Sequence, residues 1–414
     1  MPEFLNLLPP DEALERLLSL IAPLPGTEEV ETSKGFGRVL ANPVIAIHPL
    51  PSFPRSTVDG FAVRAADTHG ASESLPAYLT SVGEVPMGAP PAVQLSPGEC
   101  ALIHTGGMLP TGANAVVMVE NTQNVHAKSR PAEVEILRAV AVGENVLKVG
   151  EDVAQGEEVL GVGTRLRPAE IGGLMALGVI RVQVAARPKV GILSTGDEIV
   201  PPGSEIQSGQ VRDVNSYTLS ALLEQAGGVP VRYGIISDKL EALQAAAGRA
   251  WKESDAVVIT AGSSASARDL TSRVINNLGR PGVLVHGVDV RPGKPTILAV
   301  CDEKAVIGLP GNPVSALVIA GLFVVPLVER LSGLRVTRPR PSVLATLTIN
   351  LASQAGREDW IPVRLVPKTG GYQADPIFGK SNLIFTLARA DGLIRIPPTA
   401  TGLSAGESVE VFLF

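Results

Sequence analysis

Residues 187–198 read Arg-Pro-Lys-Val-Gly-Ile-Leu-Ser-Thr-Gly-Asp-Glu, a short apolar run that ends abruptly in polar side chains. The run Lys189–Leu193 is not interrupted by alternating polar residues, which is typical of a strand buried on both faces. Similar runs recur downstream, and stretches with helical spacing separate them. This alternation predicts a parallel, doubly wound α/β sheet.

The predicted strands are Lys189–Leu193, Val229–Ile236, Ala256–Ala261, Val283–Val290 and Thr296–Val300, the predicted helices are Ser216–Ala226, Leu240–Trp251 and Leu270–Leu278, and a strand–turn–helix unit covers Ala305–Leu331. Asn215 is placed to cap the first helix, and Gly227 follows its last residue. The α/β domain is therefore predicted over residues 187–332.

The 414 residues exceed one ordinary core and predict several domains. Residues 51–140 carry short β-branched runs cut by Gly and Pro, which predicts an inserted all-β domain. Segments 1–50 and 141–186 on either side predict one discontinuous helical or linker region, with helices after Asp11 and Pro168. Residues 333–414 return to short strands, including the run NLIFTLA, and predict a carboxy-terminal β-barrel.

Charge and cysteine content exclude several classes of protein. The net charge is −6 and no basic block occurs, which argues against nucleic-acid binding. The two cysteines, Cys100 and Cys301, are far apart in sequence, which favours buried thiols over a zinc site or a disulfide framework. The amino terminus lacks a signal-peptide pattern, and the apolar run Val314–Val328 contains Pro326 and is shorter than a membrane span. We expect a cytoplasmic protein that does not enter a membrane.

In open α/β sheets, ligands bind beyond the carboxyl ends of the strands, and here those ends are polar. We therefore predict a ligand site at this edge of the sheet. Its candidate residues are Ser194, Thr195, Gly196, Asp197 and Glu198 after the first strand, Asp238 after the second, Gly262, Ser263 and Ser264 after the third with Asp269 at the following helix, Arg291 and Lys294 after the fourth, and Pro310, Gly311, Asn312 and Pro313 after the last.

Each of these groups has a structural and a functional interpretation. Pro310–Pro313 fits a turn with Asn312 as helix cap, or an anion site at the start of the helix. Arg291 and Lys294 fit solvated loop charges, or partners of a phosphate or oxyanion. Acidic residues after strands are common helix caps, but converging carboxylates and a substrate phosphate would suit Mg²⁺.

The predicted β domain adds one further candidate in residues 51–60, PSFPRSTVDG. The pair Asp59-Gly60 is typical of a hairpin turn, and a site residue is the alternative. The five histidines share no ligand spacing, so no histidine metal site is predicted.

Taken together, the motifs PSFPRSTVDGFAVR, IHTGGMLPTGANAVVMVE, GEDVAQGEEVL, RPKVGILSTGDEIVPPG, RDVNS, DLTSRVINNLG, RPGKP and GLPGNPVSAL resemble, in order and spacing, the molybdopterin molybdenumtransferase family, which comprises bacterial MoeA and the gephyrin E domain. The resemblance covers nearly the whole chain. It implies an elongated homodimer of four-domain subunits, in which the α/β domain binds molybdopterin. It also implies that molybdate enters adenylylated molybdopterin and that AMP is released in a reaction that requires Mg²⁺. Contact with the molybdopterin adenylyltransferase is a further expectation from the resemblance.

The resemblance also assigns roles to residues. Glu198 and Asp269 match acidic positions that hold Mg²⁺ and phosphate, and Asp238 matches a further active-site carboxylate. Asp59 and Thr105 match positions that complete the site from the β domain of the other subunit.

The proline-framed loop of Pro310 and Pro313 matches the anion-binding end of a helix. The chain departs from the family pattern at Thr260–Arg268, at Arg291, where lysine is usual, and at Phe378–Asn382. Two rival interpretations stay open: an adenylyltransferase resembling the α/β domain alone, and a non-catalytic scaffold.

Overall fold

The computed structural model describes residues 7–125, 132–261, 265–335 and 339–414. Within it the chain forms two compact units. The larger unit comprises Met1–Asn42, Val162–Arg167 and Arg181–Phe414, and the smaller comprises Pro43–Gly161 and Pro168–Ile180.

The larger unit contains a six-stranded α/β sheet, whose strands and helices we number in chain order. The strands are β1 Lys189–Thr195, β2 Val229–Ile236, β3 Ala256–Ala261, β4 Pro281–His286, β5 Ile297–Cys301 and β6 Lys304–Pro310, and the helices are α1 Asn215–Ala226, α2 Leu240–Glu253, α3 Ala265–Asn276 and the continuous helical segment α4 Pro313–Leu331. The strand order is β2-β1-β3-β6-β5-β4. Buried apolar clusters cover both faces of the sheet, as the sequence predicts.

The sheet is mixed rather than wholly parallel, which corrects the sequence prediction. Strand β5 is antiparallel to both β4 and β6. Only Asp302 and Glu303 connect β5 to β6, and both have positive φ, 46° and 68°. A two-residue turn of this kind joins antiparallel strands, whereas a parallel pair needs a crossover of a dozen or so residues. The other five strands run in one direction and end at one edge.

Helix α1 begins differently from the prediction. Asn215 lies inside the helix, and the cap is the buried carboxylate of Asp213, which accepts the backbone N–H of Ser216 at 3.1 Å. Helix α3 starts at Ala265, so Asp269 lies within the helix rather than ahead of it.

Helix α4 is the central helix of the larger unit. Its 19 residues are long and apolar enough to cross a membrane by composition, but 61% of the most apolar window is buried in the fold. Phe323, Leu327 and Val328 are fully buried in the core beneath the sheet. This burial identifies α4 as a core helix.

The carboxy-terminal part of the larger unit is a closed five-stranded barrel, which confirms the predicted β-barrel. Its strands are Ser342–Leu347, Glu358–Lys368, Gly371–Pro376, Gly392–Ile396 and Ser408–Leu413, and Val290–Arg291 from the α/β region joins the same sheet at its edge. The run NLIFTLA does not form the expected strand, because Phe385–Ala388 is a single helical turn. Leu351–Ala352 and Gly402–Leu403 form a small additional pair.

The amino-terminal part of the larger unit contributes helix Pro10–Leu18, the 3₁₀ turn Thr32–Lys34 and strand Thr27–Glu31, which pairs with Arg181–Ala185. A short parallel pair, Ile199–Val200 with Val211–Arg212, follows β1.

The smaller unit is built on a six-stranded sheet with its own apolar core. Its strands, in spatial order, are Ala115–Met118, Gly60–Val63, Glu99–Ile103, Ala77–Glu84, Glu133–Ile136 and Thr122–Val125; the two-stranded pairs are Arg55–Ser56 with Val146–Leu147 and Val44–Ile45 with Glu158–Leu160; the helical segments are Ala65–Thr68, Val119–Asn121 and Pro168–Ala176. Segments 1–50 and 141–186 thus contain more strand than the sequence predicts.

Candidate functional site

Two cavities adjoin at the carboxyl edge of the α/β sheet. The larger, of about 800 Å³, lies between this edge and the barrel, and the smaller, of about 550 Å³, lies beside β1 and α1. Asn312 and Asn382 line both cavities. The sequence-predicted edge therefore carries a ligand-sized space.

The larger cavity is strongly cationic. Arg291 and Lys294, both predicted, line it together with Arg357 and Lys380 of the barrel, against the single carboxylate of Asp359. Pro310 and Asn312 of the predicted loop also line it. Four cationic side chains against one carboxylate make this cavity suited to an anion.

Asp359 organises two of these cations. Its side chain is only 3% exposed, and it accepts hydrogen bonds from Arg357 Nε at 2.7 Å and Nη2 at 3.1 Å. Arg291 Nη1 lies 3.8 Å from the second carboxylate oxygen. Strand Val290–Arg291 pairs in parallel with Glu358–Asp359, which fixes the distance between the loop and the barrel.

Gly293 is required between Arg291 and Lys294. Its φ is +117°, and a Cβ there would overlap Cγ1 and Cδ1 of Ile319 on α4. Glycine accepts positive φ without the steric cost of other residues. The cationic loop therefore packs directly on the core helix.

The smaller cavity contains much of the rest of the predicted site. Thr195, Glu198, Gly311, Asn312 and Pro313 line it. The Asn215 amide, also in its wall, donates to the Gly311 carbonyl at 2.8 Å and ties α1 to this loop. Pro313 is the first residue of α4 and Asn312 holds the N-cap position, both as predicted, but the Asn312 side chain makes no capping bond. Its Nδ2 donates instead to Ser381 Oγ at 3.0 Å.

Three carboxylates come close together beside this cavity. The Asp238 backbone N–H donates to Asp197 Oδ1 at 3.3 Å. Partial burial, reinforced by the negative charges of Asp197 and Glu198, raises the pKa of Asp238, while a hydrogen bond from Thr195 acts in the opposite direction. Like charges held together in this way favour a cation.

Gly196 permits this arrangement at the end of β1. Its φ is +146°, and a Cβ would lie 2.7 Å from Glu198 Oε2. The Glu198 carboxylate therefore folds back over the turn, which a side chain at position 196 would prevent.

Other predicted residues lie outside the cavity walls. Ser194 is fully buried, and its hydroxyl donates to the Asp213 carboxylate at 3.1 Å, which is a structural hydrogen bond inside the fold. Asp269 is exposed on α3 and lines neither cavity. Gly262, Ser263 and Ser264 lie outside the described residues.

The oxygen donors beside the smaller cavity bear on the predicted Mg²⁺ site. Across the described ranges, no group of three or more His, Cys, Asp or Glu side chains is arranged to hold a metal ion. Magnesium typically takes one or two carboxylates together with substrate phosphates, so a complete protein cage is not required. The oxygen donors of Glu198 and its neighbours fit this mode of binding.

Asp59 and Thr105 belong to the smaller unit. The Asp59 carboxylate is exposed and accepts the Thr105 backbone N–H at 2.8 Å. This hydrogen bond is the main cause of the lowered pKa of Asp59, and His104 adds to it. His104 lies between two carboxylates, with Nε2 3.0 Å from Glu84 Oε1 and Nδ1 3.6 Å from Asp59 Oδ1.

Sequence reasoning missed Arg357, Asp359 and Lys380. They come from the barrel, which the sequence did not connect with the site. The unusual segment Phe378–Asn382 was the available signal, because all five of its residues line the larger cavity.

Comparisons with known proteins cover almost the whole chain. Residues 8–178 match the MoeA N-terminal region (domain I and II), residues 191–330 a probable molybdopterin binding domain, and residues 345–414 the MoeA C-terminal region (domain IV).

Among curated proteins, the molybdopterin molybdenumtransferase of Nostoc is 34% identical over 93% of this chain and 88% of its own length. That of Bacillus subtilis is 32% identical over 98% and 94%. Among solved structures, the molybdopterin biosynthesis MoeA protein of Pyrococcus horikoshii superposes with a TM-score of 0.84 at 32% identity, covering 99% of this chain and 100% of that one.

Proposed function

Since this chain belongs to the molybdopterin molybdenumtransferase family, we propose that it inserts molybdate into adenylylated molybdopterin with Mg²⁺-dependent release of AMP. The chain is a transferase of molybdenum cofactor biosynthesis. The observation that carries the finer proposal is the cationic cavity at the carboxyl edge of the sheet.

The cavity supports a division of work between its residues. Arg291 and Lys294 bind the incoming oxyanion or the substrate phosphate, and Arg357 adds a guanidinium held in place by Asp359. Fixed cations stabilise negative charge as it develops in the transition state, because they need no reorganisation at that moment. Breaking the adenylyl phosphate bond develops such charge on the leaving group.

Carboxylates of the α/β region would hold the metal ion of the proposed reaction; Glu198 lines the smaller cavity, and Asp269 lies on α3 outside its wall. Glu198 and Asp269 would hold Mg²⁺ together with the substrate phosphate, and Asp238 would complete the acidic group. Mg²⁺ bound there would neutralise charge at phosphorus.

The decisive experiment mixes the purified chain with adenylylated molybdopterin, Mg²⁺ and molybdate, and follows AMP release and metal insertion. Replacing Arg291 and Lys294 together by Ala is expected to lower the rate about 10- to 100-fold, the cost of losing charge-assisted contacts. The control is Arg249→Ala, an exposed arginine of α2 paired with Glu253. The proposal is refuted if the wild-type chain releases no AMP in a Mg²⁺-dependent reaction.

We further propose that the chain acts in the cytoplasm as a homodimer, with Asp59 and Thr105 entering the site of the partner subunit. Both residues are exposed on the smaller unit, as are the apolar side chains Met175 (40%) and Ile180 (67%) in and after helix Pro168–Ala176. Asp59→Asn and Asp269→Asn variants should each be inactive alone but regain part of the activity when mixed and allowed to exchange subunits. If activity does not recover although exchange of subunits has been demonstrated, a site shared between subunits is contradicted.

Contact with the molybdopterin adenylyltransferase that supplies the substrate is a further part of the proposal. It is checked by sedimentation of the two purified proteins together.

A further inference from the structure

The segment 377–382 lines the larger cavity and contains an exposed aromatic ring. Phe378 lines the cavity, yet its side chain is 66% exposed. Aromatic residues make up only 4% of the chain, and an exposed ring on a cavity wall is the kind of surface that a ligand covers. We propose that Phe378 is the stacking platform for a flat nitrogen heterocycle of the substrate.

The other aromatic residue in the described wall cannot take this role. Trp360 is 7% exposed, its ring packs against Phe412 at a centroid distance of 5.5 Å, and its indole N–H donates to Glu358 at 2.6 Å. Its N–H donor and nearly all of its surface are thus committed to the fold. Phe378 retains an open face for a ligand.

The segment is held firmly enough to serve as a platform. The Val314 backbone N–H at the start of α4 donates to the Ser381 carbonyl at 3.0 Å, and Asn312 donates to the Ser381 hydroxyl. Gly379 lies against Thr386, so closely that a Cβ at position 379 would overlap its methyl group. The ring is therefore carried by a segment fixed both to α4 and to the barrel.

The neighbours of Phe378 fit the rest of such a ligand. Lys380 on the same segment offers positive charge, and Arg291 and Lys294 line the same cavity. A ring against Phe378 and a phosphate among these cations describe a heterocyclic phosphate ester. Adenine and pterin both satisfy this chemistry, and stacking on an aromatic side chain tolerates either, because each has a π-face.

The inference rests on the proposed function only in taking the heterocycle from adenylylated molybdopterin. It assigns to Phe378 the recognition of the ring, separately from the recognition of the oxyanion by Arg291 and Lys294.

Equilibrium binding to the full chain tests this separation, with intrinsic tryptophan fluorescence as one readout and calorimetry as the other. The probes are AMP, a pterin phosphate monoester, inorganic phosphate and molybdate. In Phe378→Ala, affinity for at least one of the two ring-bearing probes is expected to fall about tenfold, while affinity for phosphate and molybdate stays within about twofold. Phe378→Tyr is expected to preserve affinity for the ring-bearing probes, because it keeps an aromatic face.

Phe385→Ala is the matched control, since Phe385 is 68% exposed on the same part of the barrel and does not line the cavity. Its binding constants should equal those of the wild type. The inference is overturned if Phe378→Ala leaves both ring-bearing probes unaffected, if it weakens phosphate equally, or if Phe385→Ala has the same effect. If the wild-type chain bound neither phosphate nor molybdate, that result would contradict the proposed function. Binding of the two ring-bearing probes would still decide the role of Phe378.

Discussion

Replacing Gly293 by Ala should damage both the stability of the larger unit and its anion site. The new methyl group would overlap the Ile319 side chain, which is fully buried on α4, while the backbone at position 293 keeps φ +117°. Positive φ costs a non-glycine residue about 1–2 kcal/mol, and overpacking of a core costs about 1–3 kcal/mol more. We expect the free energy of unfolding to fall by about 2–5 kcal/mol in urea denaturation, with weaker molybdate binding.

The matched control is Gly371→Ala, where φ is +145° and no atom lies within 4 Å of the added Cβ. That variant carries the backbone cost alone, so it should lose about 1–2 kcal/mol and keep its affinity for molybdate. A second control repeats Gly293→Ala in an Ile319→Ala background, where the obstructing atoms are absent and the extra cost should shrink. Equal costs of Gly293→Ala in both backgrounds would refute the steric argument.

Three further predictions concern individual side chains. Asp213→Ala leaves the hydroxyl of Ser194 and the N–H of Ser216 without their acceptor, so denaturation should show a loss of about 1–3 kcal/mol, whereas Asp213→Asn should lose less. The raised pKa of Asp238 means that its contribution to stability is fully present below the unfolded pKa and is lost as pH rises through the folded value. Asp238→Asn should therefore gain stability relative to the wild type as pH rises through and above the ordinary titration range of an aspartate, and a constant difference would contradict the assigned shift. Glu303→Gly relieves the positive φ in the β5–β6 turn, so the free energy of unfolding should rise by about 1 kcal/mol and the melting temperature should rise with it. Asp302, which accepts the Arg280 N–H, stays unchanged in this variant.

The sequence predicts the α/β region well because its strands are buried on both faces and therefore leave an unmistakable apolar pattern. The direction of β5 escapes prediction, since Asp302 and Glu303 contain no glycine or asparagine to signal a tight turn. Helix α1 is predicted, but its cap is assigned to Asn215 instead of Asp213, because both residue types favour caps and only the folded geometry distinguishes them.

The candidate site is predicted on the side of the sheet and missed on the side of the barrel. Arg291 and Lys294 follow a strand, so the rule about strand ends finds them. Arg357 and Lys380 reach the same cavity through a pairing between residues 290–291 and 358–359, a contact that no local pattern encodes.

That pairing also bears on how the two parts of the chain can evolve. The strand Val290–Arg291 follows the α/β region and forms an edge strand of the barrel sheet. Its position is therefore set by the α/β region and by the barrel together. An insertion or deletion on either side would shift Arg291 relative to Asp359 and spoil the cavity. Replacing the barrel by another domain would therefore remove the strand that positions Arg291. Substitutions in the loop and in the facing barrel strand are expected to occur together in evolution.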